Sequence, residues 1–81
     1  MKILLIDDDM RYRDMVLPYL QSFGFEVAEA PSGAEALKLL AKNDLRLLIV
    51  DGTLPDTNGV LLIQEIRDGG NQIVVPDCIV K

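Results

Sequence analysis

Two short runs of unbroken hydrocarbon, each ended by acid, constrain the fold of this chain most. ILLI at residues 3–6 runs straight into Asp7, Asp8 and Asp9, and LLIV at residues 47–50 runs into Asp51. A strand with one wet face alternates apolar and polar side chains, whereas a strand covered on both faces reads as a continuous apolar run. Both runs therefore predict strands buried on two sides. Strands of that kind belong to parallel sheets with helices packed on each face.

The intervening residues supply the helices. Tyr12, Met15, Val16, Tyr19, Leu20 and Phe23 recur at helical spacing and predict one apolar stripe, with Gly24 as the stop. Pro18 lies inside that helix and is expected to kink it, because its ring removes the bond to the Asp14 carbonyl. FEVAEA, residues 25–30, alternates as a half-exposed edge strand does. Ser32 and Glu35 then form an S-x-x-E capping box ahead of Ala36, Leu37, Leu40 and Ala41, which predicts a helix over residues 33–42. After a loop at 51–58, a third helix turns Leu62, Ile63 and Ile66 inward and stops at Asp68, Gly69 and Gly70. A further strand begins at Ile73–Val75 and is interrupted by Pro76. Strands alternating with helices imply right-handed βαβ units. The expected fold is α/β: a doubly wound parallel sheet with strand order 2-1-3 plus one further strand, forming a single domain over residues 1–81.

Composition narrows the partners. At 81 residues, 49% apolar and 26% charged, the chain suits one small soluble domain. A net charge of −5 without any Lys/Arg cluster argues against nucleic acid and against an anionic membrane surface, both of which need a basic footprint. The single Cys78 cannot form an internal disulfide and reads as a small buried hydrophobe in a reducing compartment. No apolar run is long enough to span a membrane, and MKILLIDDD turns acidic too early for a signal peptide, so a cytoplasmic location is expected.

In doubly wound sheets, function gathers beyond the carboxyl ends of the strands, where strand order reverses. If the first and third strands are neighbours, Asp7, Asp8 and Asp9 converge with Asp51 at one end of the sheet. Several carboxylates in so small a space resist full ionisation unless a cation neutralises them. An all-oxygen donor set without histidine or a second cysteine points to a hard ion, Mg²⁺ above all. Each acid also has a plainer reading. Asp8 or Asp9 could simply cap the first helix, and Asp51 could be a turn residue. Two acid-ended buried strands in βαβ order favour the site.

These residues resemble the receiver domains of two-component response regulators. The likeness runs through ILLIDDD, FGFEV, PSGAEALKLL, DLRLLIVDGTLPDTNG and LLIQEIR, nearly all of residues 2–67. Its specific part is the acidic pair after the first strand together with D-x-x-L-P-x-x-x-G after the third. The resemblance implies a flavodoxin-like fold, with Asp51 as phospho-acceptor, Asp8 as a direct Mg²⁺ ligand, Asp7 as a ligand through water, and the backbone carbonyl of Thr53 as a further oxygen. It gives Pro55 and Gly59 the shaping of the loop and Asp9 the helix cap. The phosphoryl donor would be a histidine kinase or a small acyl phosphate, and the product an aspartyl phosphate.

The chain departs from the family pattern in its last segment. The family carries a Ser or Thr after strand four and a Lys after strand five, whereas here IVV is followed by Pro76 and Asp77. PDCIVK resembles the lysine-bearing fifth strand, which makes Lys81 either a phosphoryl contact or a frayed terminal residue. With three βα units and one more strand-like segment, apolar surface is expected to stay uncovered, and a homodimer with exchanged or edge-paired strands is expected to cover it. Two other functions compete. One is a receiver remnant that no longer switches and serves as an interaction or dimerisation module. The other is a phosphatase of the haloacid dehalogenase type, since DGTLPDT resembles its D-x-D-G-T-L loop. The nucleophile position of that loop is Ile49 here, and a hydrocarbon cannot attack phosphorus.

Overall fold

ILLI extends as the centre of strand β1 (Lys2–Ile6), and all four of its apolar side chains are 0% exposed, as a strand covered on both faces requires. The computed structural model describes residues 2–42, 44–69 and 77–80. Helix α1 (Met10–Ser22) follows, then strand β2 (Glu26–Ala30), helix α2 (Gly33–Lys42), strand β3 (Leu47–Val50), helix α3 (Gly59–Gly69) and strand β4 (Asp77–Val80). The four strands form one sheet in the order β2-β1-β3-β4, and every pairing is parallel. This is the expected α/β architecture, with β2 at one edge and β4 at the other.

Strand register sorts the side chains into two faces, because paired residues of neighbouring strands point the same way. Ala28, Leu4, Leu48 and Cys78 make one row, and Ala30, Ile6, Val50 and Val80 the next. Over this face lie Ala36 and Leu40 of α2 and Leu62 and Ile66 of α3, with Leu45 and Leu54 from the adjoining loops. The opposite face carries the row Glu29, Leu5, Ile49 and Ile79. Helix α1 belongs to that face, since Arg13 reaches Glu29 there at 3.7 Å.

Coverage of the α1 face fades across the sheet. Leu5 is fully buried, Ile49 is half-buried, and Ile79 at the edge is 53% exposed. The expectation that LLIV is buried on both sides is thus corrected: Leu48 and Val50 are enclosed, while Leu47 and Ile49 are only half covered. The cause is that α1 lies over the β1–β2 half of this face. The stripe expected on α1 is also rotated. Tyr12, Val16 and Leu20 of the stripe are half-buried together with Arg13 and Leu17, whereas Met15, Tyr19 and Phe23 point outward, all more than 60% exposed. Tyr19 and Phe23 stack edge to face at 5.1 Å between centroids, so part of the stripe packs on itself.

Local signals set the helix bounds. The Ser32 hydroxyl accepts from the Glu35 N–H at 3.3 Å, and α2 spans the range its capping box predicts, although Ala41 is exposed instead of inward. Gly24 takes φ 86°, the left-handed conformation that ends a helix, just after α1. Helix α1 runs through Pro18 to Ser22. The described edge strand lies beyond Pro76, at Asp77–Val80, while the expected strand start at Ile73–Val75 falls outside the described residues.

Candidate functional site

The backbone ladder holds two of the acids one residue beyond the strands that precede them. The Asp7 N–H donates to the Ala30 carbonyl at 3.0 Å, and the Asp51 N–H to the Ile6 carbonyl at 2.8 Å. Both residues therefore sit at the carboxyl end of the sheet, on the adjacent strands β1 and β3. Asp7, Asp8 and Asp51 can each offer one carboxylate oxygen so that all three oxygens lie within 4.8 Å of one another. Asp7 is buried at 1% exposure, Asp51 is half-buried, and Asp8 is open to solvent.

The triplet DDD divides its work. Asp9 is the N-cap of α1, its carboxylate accepting from the Arg11 N–H at 2.9 Å and the Tyr12 N–H at 3.4 Å. Asp7 turns back to accept from the Asp9 N–H at 2.9 Å, which orients its carboxylate at the head of the helix. Asp8 is left facing Asp51. Of the two capping candidates, the fold uses Asp9.

Residues 51–58 form a small hairpin instead of a slack loop. The Leu54 N–H donates to the Thr57 carbonyl at 2.9 Å and the Gly59 N–H to the Gly52 carbonyl at 3.1 Å, framing a bridge between Thr53 and Asn58. These rungs use the carbonyls of Gly52 and Thr57 and leave that of Thr53 outside the ladder. The Thr53 N–H donates to the Asp51 carboxylate at 3.2 Å, which ties the first limb of the hairpin to that acid. Asn58 caps α3 by accepting from the Leu61 N–H at 2.9 Å, and the buried Leu54 side chain anchors the hairpin in the core.

Three carboxylates so close together repel one another, and the burial of Asp7 adds a desolvation cost to its charge. A divalent cation held by oxygens relieves both penalties, and the donor set suits a hard ion. The residues present thus fit Mg²⁺. Lys81, the other residue with an expected phosphoryl contact, lies outside the described residues.

One site-building residue escaped the sequence. Asp56, in the hairpin, accepts from the Gly33 N–H and the Ala34 N–H, both at 2.9 Å, across 23 and 22 residues of chain. Those two bonds hold its carboxyl below the ordinary value, the Gly33 bond contributing most. The available signal was an acid in a turn motif, which looks the same whether or not a distant helix end needs it.

Comparison with known proteins decides the family. A family model described as the response regulator receiver domain matches residues 3–78. The chain belongs to that family. The receiver is 36% identical over 69 residues to the aerobic respiration control protein ArcA of Escherichia coli strain K12, covering 85% of this chain and 29% of ArcA. It superposes with a TM-score of 0.80 and 30% identity on the response regulator TrrA of Thermotoga maritima, solved in complex with Mg²⁺–BeF, covering 98% of this chain and 64% of that one. Against the chemotaxis response regulator CheY4 of Vibrio cholerae the TM-score is 0.86 at 30% identity, covering 98% of this chain and 65% of the other. The receiver thus spans less than a third of the length of ArcA and just under two thirds of the solved chains. No helix among the described residues is long and apolar enough to cross a membrane.

Proposed function

We propose that this receiver accepts a phosphoryl group on Asp51 in a Mg²⁺-dependent transfer, as the phospho-acceptor module of a two-component signalling system. The observation that carries the reading is the meeting of Asp7, Asp8 and Asp51 at the carboxyl ends of two neighbouring strands, one oxygen from each within 4.8 Å. Asp8, Asp51 and the Thr53 carbonyl would hold the ion directly and Asp7 through water. The ion, when bound, offsets the negative charge that otherwise keeps a phosphoryl group away from three carboxylates. The response regulator TrrA was solved in complex with Mg²⁺–BeF, which supports the choice of ion.

In the transfer, a carboxylate oxygen of Asp51 attacks phosphorus and a new O–P bond forms. The bond from phosphorus to the donor breaks, and its electron pair leaves with the imidazole nitrogen of a histidine kinase or with the acyl oxygen of a small acyl phosphate. Asp51 is half-buried, so one side of its carboxylate is reachable by a donor. The protein acts here as the recipient of the group.

The test is incubation with Mg²⁺ and acetyl phosphate followed by intact mass measurement. One phosphoryl adduct is expected, absent in Asp51→Asn. A wild-type chain that takes no adduct would instead favour an interaction module that keeps the acidic pocket without switching. The open half of the α1 face supports a second element of the reading, a homodimer that buries Leu47, Ile49 and Ile79 through edge pairing or strand exchange.

A further inference from the structure

The hairpin that carries Asp51 and Thr53 is fastened to the rest of the molecule at more points than its own two ends. Its near limb leaves β3, and its far limb enters α3 through the Asn58 cap. Between them, Asp56 spans to the start of α2, giving one carboxylate oxygen to the Gly33 N–H and the other to the Ala34 N–H. The fit is close. A Cβ on Gly33 would come within 2.7 Å of the Thr57 methyl, so the helix end and the hairpin are in direct contact.

We infer that Asp56 is a positioning residue for the metal site: its two-pronged grip on the head of α2 fixes the far limb of the 51–58 hairpin and, through the rungs, the Thr53 carbonyl. This inference rests on the metal-binding reading above. The path is short, one hydrogen bond between two steps along the chain. Asp56 lies beside Thr57, the Thr57 carbonyl accepts from the Leu54 N–H, and Leu54 follows Thr53 directly. Main-chain geometry imposed at Asp56 is thereby passed to Thr53, whose N–H is tied to the Asp51 carboxylate.

Capping alone does not account for the arrangement. Ser32 already supplies a local cap to α2, accepting from the Glu35 N–H. Asp56 takes the two remaining N–H groups of the first turn from a residue more than twenty positions away, which no local cap needs. A helix end satisfied by a neighbour in sequence stabilises the helix. One satisfied by a distant loop also places the loop.

The experiment compares Mg²⁺ dissociation constants, by calorimetry with Mg²⁺ alone, and unfolding temperatures for wild type, Asp56→Ala, Asp56→Asn and Ser32→Ala. Removing a residue that orients a metal ligand weakens binding by about tenfold or more, so Asp56→Ala should raise the Mg²⁺ constant by about that factor. Asp56→Asn keeps one acceptor oxygen and should fall between Asp56→Ala and wild type. Ser32→Ala removes a cap without touching the hairpin, so it should lower the unfolding temperature and leave Mg²⁺ affinity near wild type. Should Asp56→Ala fail to fold, Asp56→Asn carries the comparison. An unchanged Mg²⁺ constant in a folded Asp56 variant overturns the positioning role and leaves the metal reading intact. A wild-type chain that binds no Mg²⁺ overturns both.

Discussion

At Gly59 the main chain of α3 passes so close to β3 that a Cβ would lie 2.8 Å from the Asp51 carbonyl oxygen, 3.2 Å from the Val50 side chain and 3.3 Å from that of Val80. The first of these is backbone held in the sheet and cannot yield. Gly59→Ala should therefore destabilise the fold by about 1–3 kcal/mol, the usual cost of forcing atoms into a packed interior. Gly33 offers a control with an equally short contact, 2.7 Å, but against the Thr57 methyl, which can rotate aside. Gly33 is the first residue of α2, where helix propensity counts for little, so Gly33→Ala should cost less than Gly59→Ala through the yielding contact alone. Urea unfolding of both variants checks this, and equal losses would mean that contact distance alone decides, whatever the clashing atom is. The acids of the site obey the same logic of fixed backbone. Asp7 and Asp51 could be read from the sequence because each follows an apolar strand directly, and the ladder holds it there. Asp56 could not, because its value lies in a partner more than twenty residues away.

At the scale of elements, the helices whose ends carry chemical signals fall where the sequence puts them. Ser32 starts α2 and Gly24 follows the end of α1, since capping is local and needs no knowledge of the rest of the fold. The facing of α1 was not legible. Periodicity reveals that Tyr12, Met15, Val16, Tyr19, Leu20 and Phe23 share one side of the helix, but not which part of that side meets the sheet. The half-buried set is Tyr12, Arg13, Val16, Leu17 and Leu20, and Arg13 pairs with Glu29 of β2 on that side. Substitutions should separate the two groups. Met15→Ala, on the open side, should change stability by less than about 0.5 kcal/mol, whereas Leu48→Ala, fully buried in the core, should cost about 2–5 kcal/mol. A loss at Met15 approaching that at Leu48 would show that the outer side of α1 is covered in solution. The β4 strand was legible only through resemblance. It lies at Asp77–Val80, within the PDCIVK segment that resembles a family strand, while its hydrophobic pattern beyond Pro76 is too short to predict a strand by itself.

For the molecule as a whole, the two faces of the sheet are unequal. One carries α2 and α3 over a closed core, while the other carries α1 over the β1–β2 half and leaves Ile49 and Ile79 partly or largely open beside the outer edge of β4, which pairs with no further strand among the described residues. An apolar row ending at a free edge invites pairing with another copy, and a two-fold axis at β4 would bring the two Ile79 side chains together. Charge works against such association, since each copy carries a net charge of −5. The balance predicts a salt response: added salt screens the repulsion over about 10 Å at 0.1 M and strengthens apolar burial, so self-association should tighten. An interface built on ion pairs would loosen instead. Light scattering coupled to size exclusion at micromolar concentration should show a dimer whose dissociation falls with salt, and Ile79→Lys should return it to monomer while leaving Mg²⁺ binding in place, because Ile79 lies within the strand and the acids lie beyond the strand ends. A wild-type monomer at every salt concentration would count against the dimer and leave the open face to a different protein.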